Sequence, residues 1–257
     1  MAHQTAEGPA ALEGRAALVT GASSGIGRAI SEGLRAAGAQ VMGVDLHDDP
    51  DGGGPSFTAD LTTREGNRAA VQAAVEAFGR LDVVVPNAGV QHVAPVAEFP
   101  EDRWDQLLAL LLTSPFLLAR YGWEPLAASG DGRFIVIASA HALVASPFKA
   151  AYVSAKHGAL GLVKTLALEG AASGITATAV CPGYVRTPLV EGQVGEQAAA
   201  HGLSEDEVLE QVILAPQAIK RLIEPEEVAA AVTFLAGPGG RSFTGVPVTM
   251  DLGWTAG

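Results

Sequence analysis

Between an apolar stretch at 16–20 and an amphipathic segment at 25–37 lies the run Thr20-Gly21-Ala22-Ser23-Ser24-Gly25-Ile26-Gly27. A strand that turns into a helix on glycines brings backbone close to whatever sits above the turn. It also leaves the first helical N–H groups free at the positive end of the helix dipole. Gly21, Ser23, Ser24, Gly25, Ile26 and Gly27 are therefore a candidate cradle for a pyrophosphate. A tight turn needs glycine in any case, so the weight comes from its position at the first strand-to-helix turn.

Short β-type runs then alternate with helical patterns along the chain. Residues 40–44, 81–85, 133–137, 176–180 and 246–250 read as strands, each almost continuously apolar, with helices between them. Such strands are covered on both faces, which predicts an α/β fold built on one parallel sheet. No linker or repeat interrupts the order, so residues 14–257 read as one domain, preceded by an Ala-, Gly- and Glu-rich tail at 1–13. The segment Trp104 to Tyr121 is apolar on nearly every side, as expected of a helix buried in the core or against another subunit.

Charge narrows the partners. With 16 basic and 28 acidic side chains the formal charge is −12, and no basic field exists to neutralise nucleic-acid phosphates. The single cysteine, Cys181, excludes an internal disulfide framework. No metal cluster is readable, and His47, His92 and His201 read as surface or packing residues. Residues 1–14 carry no basic cluster followed by an apolar run, and no apolar segment is long enough to span a bilayer; a cytoplasmic protein without a membrane partner is expected.

Two further features concern chemistry. Asp45 ends the second strand about twenty residues beyond the glycine turn, where a carboxylate accepts from both hydroxyls of an adenosine ribose and repels a 2′-phosphate. No Arg or Lys lies between Val41 and Asp51, which favours NAD over NADP. Tyr152 and Lys156 are four residues apart and share one helix face. An ammonium beside a phenol favours the phenolate and lowers its pKa, so Tyr152 is expected to exchange protons with an alcohol or carbonyl. Ser139, at a strand end, is placed to bond the same substrate oxygen.

With these residues in order, the whole chain from about residue 14 resembles the short-chain dehydrogenase/reductase family. The matches are Thr20–Gly27, Asp60-Leu61, Asn87-Ala88-Gly89, Ser139, Tyr152 with Lys156, and Pro182-Gly183 followed by Thr187. The resemblance implies a doubly wound, single-domain Rossmann fold, a homotetramer, and hydride transfer between a nicotinamide dinucleotide and a carbonyl or alcohol. It makes Tyr152 the acid/base, Ser139 the substrate orienter and Lys156 the ribose-binding residue. It puts Asp60 and Leu61 at the adenine, Asn87, Ala88 and Gly89 on the adenosine side, and Pro182, Gly183, Val185 and Thr187 towards the nicotinamide.

Segments 87–92, 138–146, 181–190 and 251–255 resemble more closely the branch of that family that interconverts (R)-3-hydroxybutyrate and acetoacetate. That resemblance implies a substrate carboxylate held by Gln91, His141, Lys149 and Gln193, with Tyr184 and Trp254 in the pocket wall. A small hydroxy acid or ketoacid has little apolar surface, so several donors, one of them charged, suit it. Residues 189–216, rich in glycine and carrying a capping-box pattern at Ser204 and Glu207, are expected to form a mobile helical lid that brings Gln193 over the substrate. The alternatives are another small secondary alcohol, polyol or hydroxy acid as substrate, or a catalytically weak NAD-binding sensor or subunit.

The sequence departs from the family at a helical asparagine that completes a proton relay, where Leu111 stands. Because Pro115 has no N–H, the Leu111 carbonyl loses its helical donor and is expected to serve a relay water instead. Pro86 stands where an asparagine often precedes Asn87, Tyr184 where tryptophan is usual, and Leu252 where glycine is usual.

Overall fold

Small and β-branched side chains fill the central strands on both faces. In the computed structural model, which describes residues 11–49 and 52–256, Ala16–Thr20, Val83–Val85 and Arg133–Ile137 are buried throughout. The strands are β1 (Ala16–Thr20), β2 (Gln40–Asp45), β3 (Ser56–Thr58), β4 (Val83–Val85), β5 (Arg133–Ile137), β6 (Thr176–Pro182) and β7 (Val246–Met250). They pair in parallel as one seven-stranded sheet ordered 3-2-1-4-5-6-7.

Eight helices follow in chain order among the described residues: α1 (Gly25–Ala36), α2 (Arg64–Phe78), α3 (Glu101–Leu108), α4 (Ser114–Ala128), α5 (Ala150–Gly170), α6 (Pro188–His201), α7 (Glu205–Val208) and α8 (Pro225–Ala236). Alternation along the strands divides the core. Leu18, Val84, Phe134 and Val136 pack against α2, α4 and α5, while Ala17, Val19, Val83, Val85, Ile135 and Ile137 pack against α1 and α8. The sheet is therefore doubly wound, as expected. The chain runs outward from β1 through β2 to β3 and then crosses back to β4 on the other side of β1, and the crevice opens at the C-terminal ends of β1 and β4, where such sheets bind ligands.

Several local expectations need correction. Leu12 is fully buried among residues of β1, α1 and α8, and its N–H donates to the Ala37 carbonyl at 2.8 Å. The tail expected at 1–13 therefore does not reach Leu12, and residues 1–10 lie outside the described ones. The apolar helix is longer than expected, running from Glu101 to Ala128 through a wide turn at Ala109–Thr113. Within the single chain Phe116 on this helix is 44% exposed. The capping box at 204–207 forms, with Ser204 N–H donating to Glu207 Oε2 at 2.9 Å, but α7 ends at Val208 and a wide turn follows at Leu209–Ile213. No described helix is long and apolar enough to cross a membrane.

Candidate active site

The crevice is a cleft of about 760 Å³ whose wall includes every expected dinucleotide residue except Gly27. Gly27 lies beneath the wall, where a Cβ would come within 1.9 Å of the Gly21 carbonyl oxygen. Gly21 and Gly25 have φ values of 65° and 49°, conformations that glycine takes at no steric cost. Ser24 caps α1 without a side-chain hydrogen bond, and no acidic residue occupies the first turn, so the N–H groups there are left for an anion. Asn87 holds the opposite rim in place: its Nδ2 donates to the Thr20 carbonyl at 2.8 Å, and Thr20 Oγ1 accepts from the Asn87 N–H at 2.9 Å.

Asp45 sits at the end of β2 on this wall. Its Oδ2 accepts from Ser23 N–H at 3.0 Å and Ser23 Oγ at 2.6 Å, and its Oδ1 accepts from Leu46 N–H at 2.7 Å. A carboxylate offers about four lone-pair sites and three are in use, so one ribose hydroxyl could be accepted directly and a second would compete with Ser23. The Arg28 guanidinium is engaged by both oxygens of Asp49 at 2.8 and 2.9 Å rather than turned towards a phosphate. The residues present fit a dinucleotide: backbone free for the pyrophosphate, glycines where side chains would intrude, and a carboxylate at the ribose end.

Further along the cleft, α5 carries Tyr152 and Lys156 while the end of β5 leads to Ser139. Ser139 Oγ accepts from the His141 N–H at 3.1 Å and bonds the Tyr152 hydroxyl. Lys156 is buried, and its Nζ donates to the Ile137 carbonyl at 2.8 Å and lies 5.4 Å from the Tyr152 ring centre. The expected lowering of the phenol is reversed here: burial pushes Tyr152 up to about 12, against the hydrogen bond from Ser139. Burial also pulls Lys156 down to about 8. Desolvation governs both groups, and the ammonium is engaged by the Ile137 carbonyl rather than by the phenol.

The wide turn at Ala109–Thr113 accounts for the position without asparagine. Ser114 N–H donates to the Ala109 carbonyl, five residues back, and Pro115 has no N–H. The carbonyls of both Leu110 and Leu111 thus lose the donors that a regular α-helix would supply, and Leu110 lines the cleft together with Lys156. The Leu111 side chain is buried with Leu107, Ala151 and Ala155 behind the Tyr152 helix.

Behind Tyr152 lies an aromatic cluster. The His141 ring meets Tyr152, Tyr184 and Trp254 edge-on at 5.8, 6.5 and 5.0 Å, and Tyr184 stacks on Trp254 at 5.5 Å. Burial and the Lys149 charge pull His141 down to about 3, so the imidazole is neutral. Its Nε2 bonds Ser146 Oγ at 2.9 Å. Lys149 is 2% exposed, its Nζ donates to the Tyr184 hydroxyl at 3.0 Å, and burial pulls it down to about 8.

Of the four expected carboxylate donors, the structure gathers His141 and Lys149 in the aromatic cluster behind Tyr152, and neither they nor Tyr184 and Trp254 line the cleft of about 760 Å³ itself. Gln91 is not in the cleft wall and turns to its own backbone, Oε1 accepting from the His92 N–H at 3.1 Å. Gln193 lies on α6, but its side chain is outside the described residues. Sequence reasoning missed Ser146 as the partner of His141 and the Ile137 carbonyl as the partner of Lys156. A polar side chain five residues past a candidate ligand was the one available signal for Ser146; a backbone carbonyl leaves none. Leu252, where glycine is usual, adopts φ 54°, so it takes the strained conformation that glycine would have relieved.

A parallel doubly wound sheet with a glycine cradle, and a Ser-Tyr-Lys set at the far end of the same cleft, define an oxidoreductase that uses a nicotinamide cofactor. The chain belongs to the short-chain dehydrogenase/reductase family. Residues 21–255 match the family described as enoyl-(acyl carrier protein) reductase. Among its relatives, D-beta-hydroxybutyrate dehydrogenase of Rhizobium meliloti is 42% identical over 94% of this chain and 99% of that protein. The protein of the same name from Cupriavidus necator is 38% identical over 95% and 99%. The ligand-free aldohexose dehydrogenase of Thermoplasma acidophilum superposes with a TM-score of 0.88 at 28% identity, covering 97% of each chain.

Proposed function

We propose that the protein is an NAD-dependent dehydrogenase interconverting (R)-3-hydroxybutyrate and acetoacetate. The observation that carries this reading is the Lys149 ammonium: nearly fully buried, bonded to Tyr184, which shares the His141 ring with Tyr152, and without a carboxylate partner among the described residues. A buried cation left without a counter-ion is costly, and a substrate carboxylate would relieve that cost. The names of the two hydroxybutyrate dehydrogenases point the same way.

When bound, the nicotinamide supplies the hydride acceptor or donor. Tyr152 takes the hydroxyl proton during oxidation and returns it during reduction. Ser139, whose oxygen accepts from the His141 N–H, would turn its own proton from the Tyr152 hydroxyl to the substrate oxygen. Lys156, at about 8, is protonated at neutral pH and presents a full positive charge to the phenol. Asp45, with Arg28 already engaged by Asp49, favours NAD over NADP. Exposed apolar side chains on α4 and α5, Phe116 and Leu168, support a homotetramer. The buried free thiol of Cys181 suits the cytoplasm.

The test is NADH formation with (R)-3-hydroxybutyrate against a panel of neutral secondary alcohols and polyols, repeated with NADP. The hydroxy acid with NAD should give the highest kcat/KM. Preference for a neutral alcohol removes the substrate assignment, and comparable rates with NADP remove the cofactor assignment. A second reading, a catalytically weak NAD-binding protein, is favoured by Leu111; turnover below detection across the panel, with NAD binding intact, would establish it.

A further inference from the structure

Lys149 does not stand alone in its pocket. Its Nζ donates to the Tyr184 hydroxyl at 3.0 Å and lies 5.0 Å from the Tyr184 ring centre. The phenol is held on two sides, stacked within 6° of parallel on Trp254 and edge-on to His141, and is only 8% exposed. Its hydroxyl is therefore fixed in position. That oxygen accepts from the ammonium, but among the described residues its own proton goes to no acceptor. Lys149 likewise uses one of its three N–H groups there. Three donor hydrogens and one positive charge thus lie within one hydrogen-bond length of each other, with no carboxylate among the described residues to meet them.

The residue usual at this place, tryptophan, offers one N–H and no lone pair, so it could not accept from Lys149. A phenol does both. It takes a hydrogen bond from the ammonium, which polarises its O–H, and can pass a stronger one to a third group. We infer that Tyr184 is a specificity-determining residue: its O–H and the Lys149 ammonium form a two-point clamp for a carboxylate, so the site selects acids over isosteric neutral molecules. The inference rests on the proposal that the substrate is a hydroxy acid and assigns the recognition of its anionic end. Neutral alcohols and polyols leave the clamp's donors unpaired in a buried place, which works against them.

Tyr184→Phe removes the hydroxyl and keeps the ring that stacks on Trp254, so the fold should persist, with a thermal midpoint lowered by a few degrees because Lys149 loses its acceptor. For (R)-3-hydroxybutyrate, KM should rise about tenfold with kcat within about twofold, while KM for its methyl ester stays unchanged. A role in packing alone would shift acid and ester together. Lys149→Met should abolish the preference for the acid, and adding Tyr184→Phe to it should cost less than about twofold more, because the two act as a unit. Calorimetric titration with acetate, against acetamide as neutral control, reads the clamp without turnover. Acetate should bind wild type about tenfold more tightly than Tyr184→Phe, and acetamide should not distinguish them. Equal acetate affinity in the two proteins, or none in either, overturns the clamp whatever substrate is turned over. Turnover of neutral alcohols alone, with the acetate difference intact, overturns the hydroxybutyrate assignment and leaves the clamp standing.

Discussion

The Lys156 ammonium lies 5.4 Å from the centre of the Tyr152 ring. Both groups are drawn from their usual pKa values by burial, the phenol up to about 12 and the amine down to about 8. Oxidation needs the phenolate, so its rate should climb with pH as the phenol ionises. Lys156 loses its own proton through about 8, well below the phenol, so its charge favours the phenolate chiefly below about pH 8; Lys156→Met should lower kcat about tenfold near pH 7 and cost less above about pH 9. Tyr152→Phe should lower kcat by about a thousandfold while NAD affinity stays within about twofold, measured by calorimetry. A pH–rate profile unchanged in Lys156→Met would remove the electrostatic role.

Asp45 should decide between the two dinucleotides. Three donors already approach its carboxylate, two from Ser23 and one from Leu46. Asp45→Ala would remove a ribose acceptor and the negative charge that repels a 2′-phosphate. NAD should lose about tenfold in kcat/KM, and NADP should gain or hold steady. Parallel kinetics with both cofactors check this; an equal loss for both would show that Asp45 only shapes the Ser23 turn.

Most of this architecture can be read in the sequence because it is written in apolar runs. Val83–Val85 and Arg133–Ile137 are buried on both faces and appear as uninterrupted strands. β3 is different: Ser56, Phe57 and Thr58 give one apolar residue in three, too short a signal to separate from a loop. Leu12 looks like part of an irregular tail because its burial depends on α1 and α8. In the site, Tyr152 and Lys156 carry a spacing signal, since helical periodicity places them together. The bond between Lys149 and Tyr184 spans 35 positions and has none. The direction of the Tyr152 shift could not be read either, because desolvation depends on how fully the fold closes around the phenol.

Leu111 sets a test of the proton relay. Its side chain is 2% exposed, packed with Leu107, Ala151 and Ala155, and its Cδ2 would lie 3.2 Å from a Cβ on Gly89. Leu111→Ala should cost about 2–5 kcal/mol of stability by opening a cavity behind the Tyr152 helix. Leu111→Asn places an amide among apolar groups and should also destabilise. Its kcat should stay within about tenfold of wild type, because the wide turn and Pro115 already free the neighbouring carbonyls. Thermal melts and steady-state rates separate the two effects. A gain of several orders of magnitude from an inert parent would mean that the carbonyls do not sustain the relay.

The segment from α6 to the turn at Leu209–Ile213 should close when the site is filled. Val190, Val194 and Ala198 of α6 pack with Val208 and Ile213 against Tyr184 and Trp254, so the proposed lid rests directly on the aromatic wall of the pocket. At its far end His201 meets Phe148 edge-on at 5.1 Å, and Phe148, at φ 66°, holds a strained backbone next to Lys149. An anion drawing on Lys149 would thus be felt at both ends of the segment. The glutamates at 191, 196, 205, 207 and 210 make it a target for a Glu-specific protease. NAD with (R)-3-hydroxybutyrate should slow cleavage there about fivefold or more, while NAD with a neutral alcohol of the same size should give less protection. Cleavage at one rate under all conditions would identify α6 and α7 as a fixed part of the wall, with Gln193 outside any closing motion.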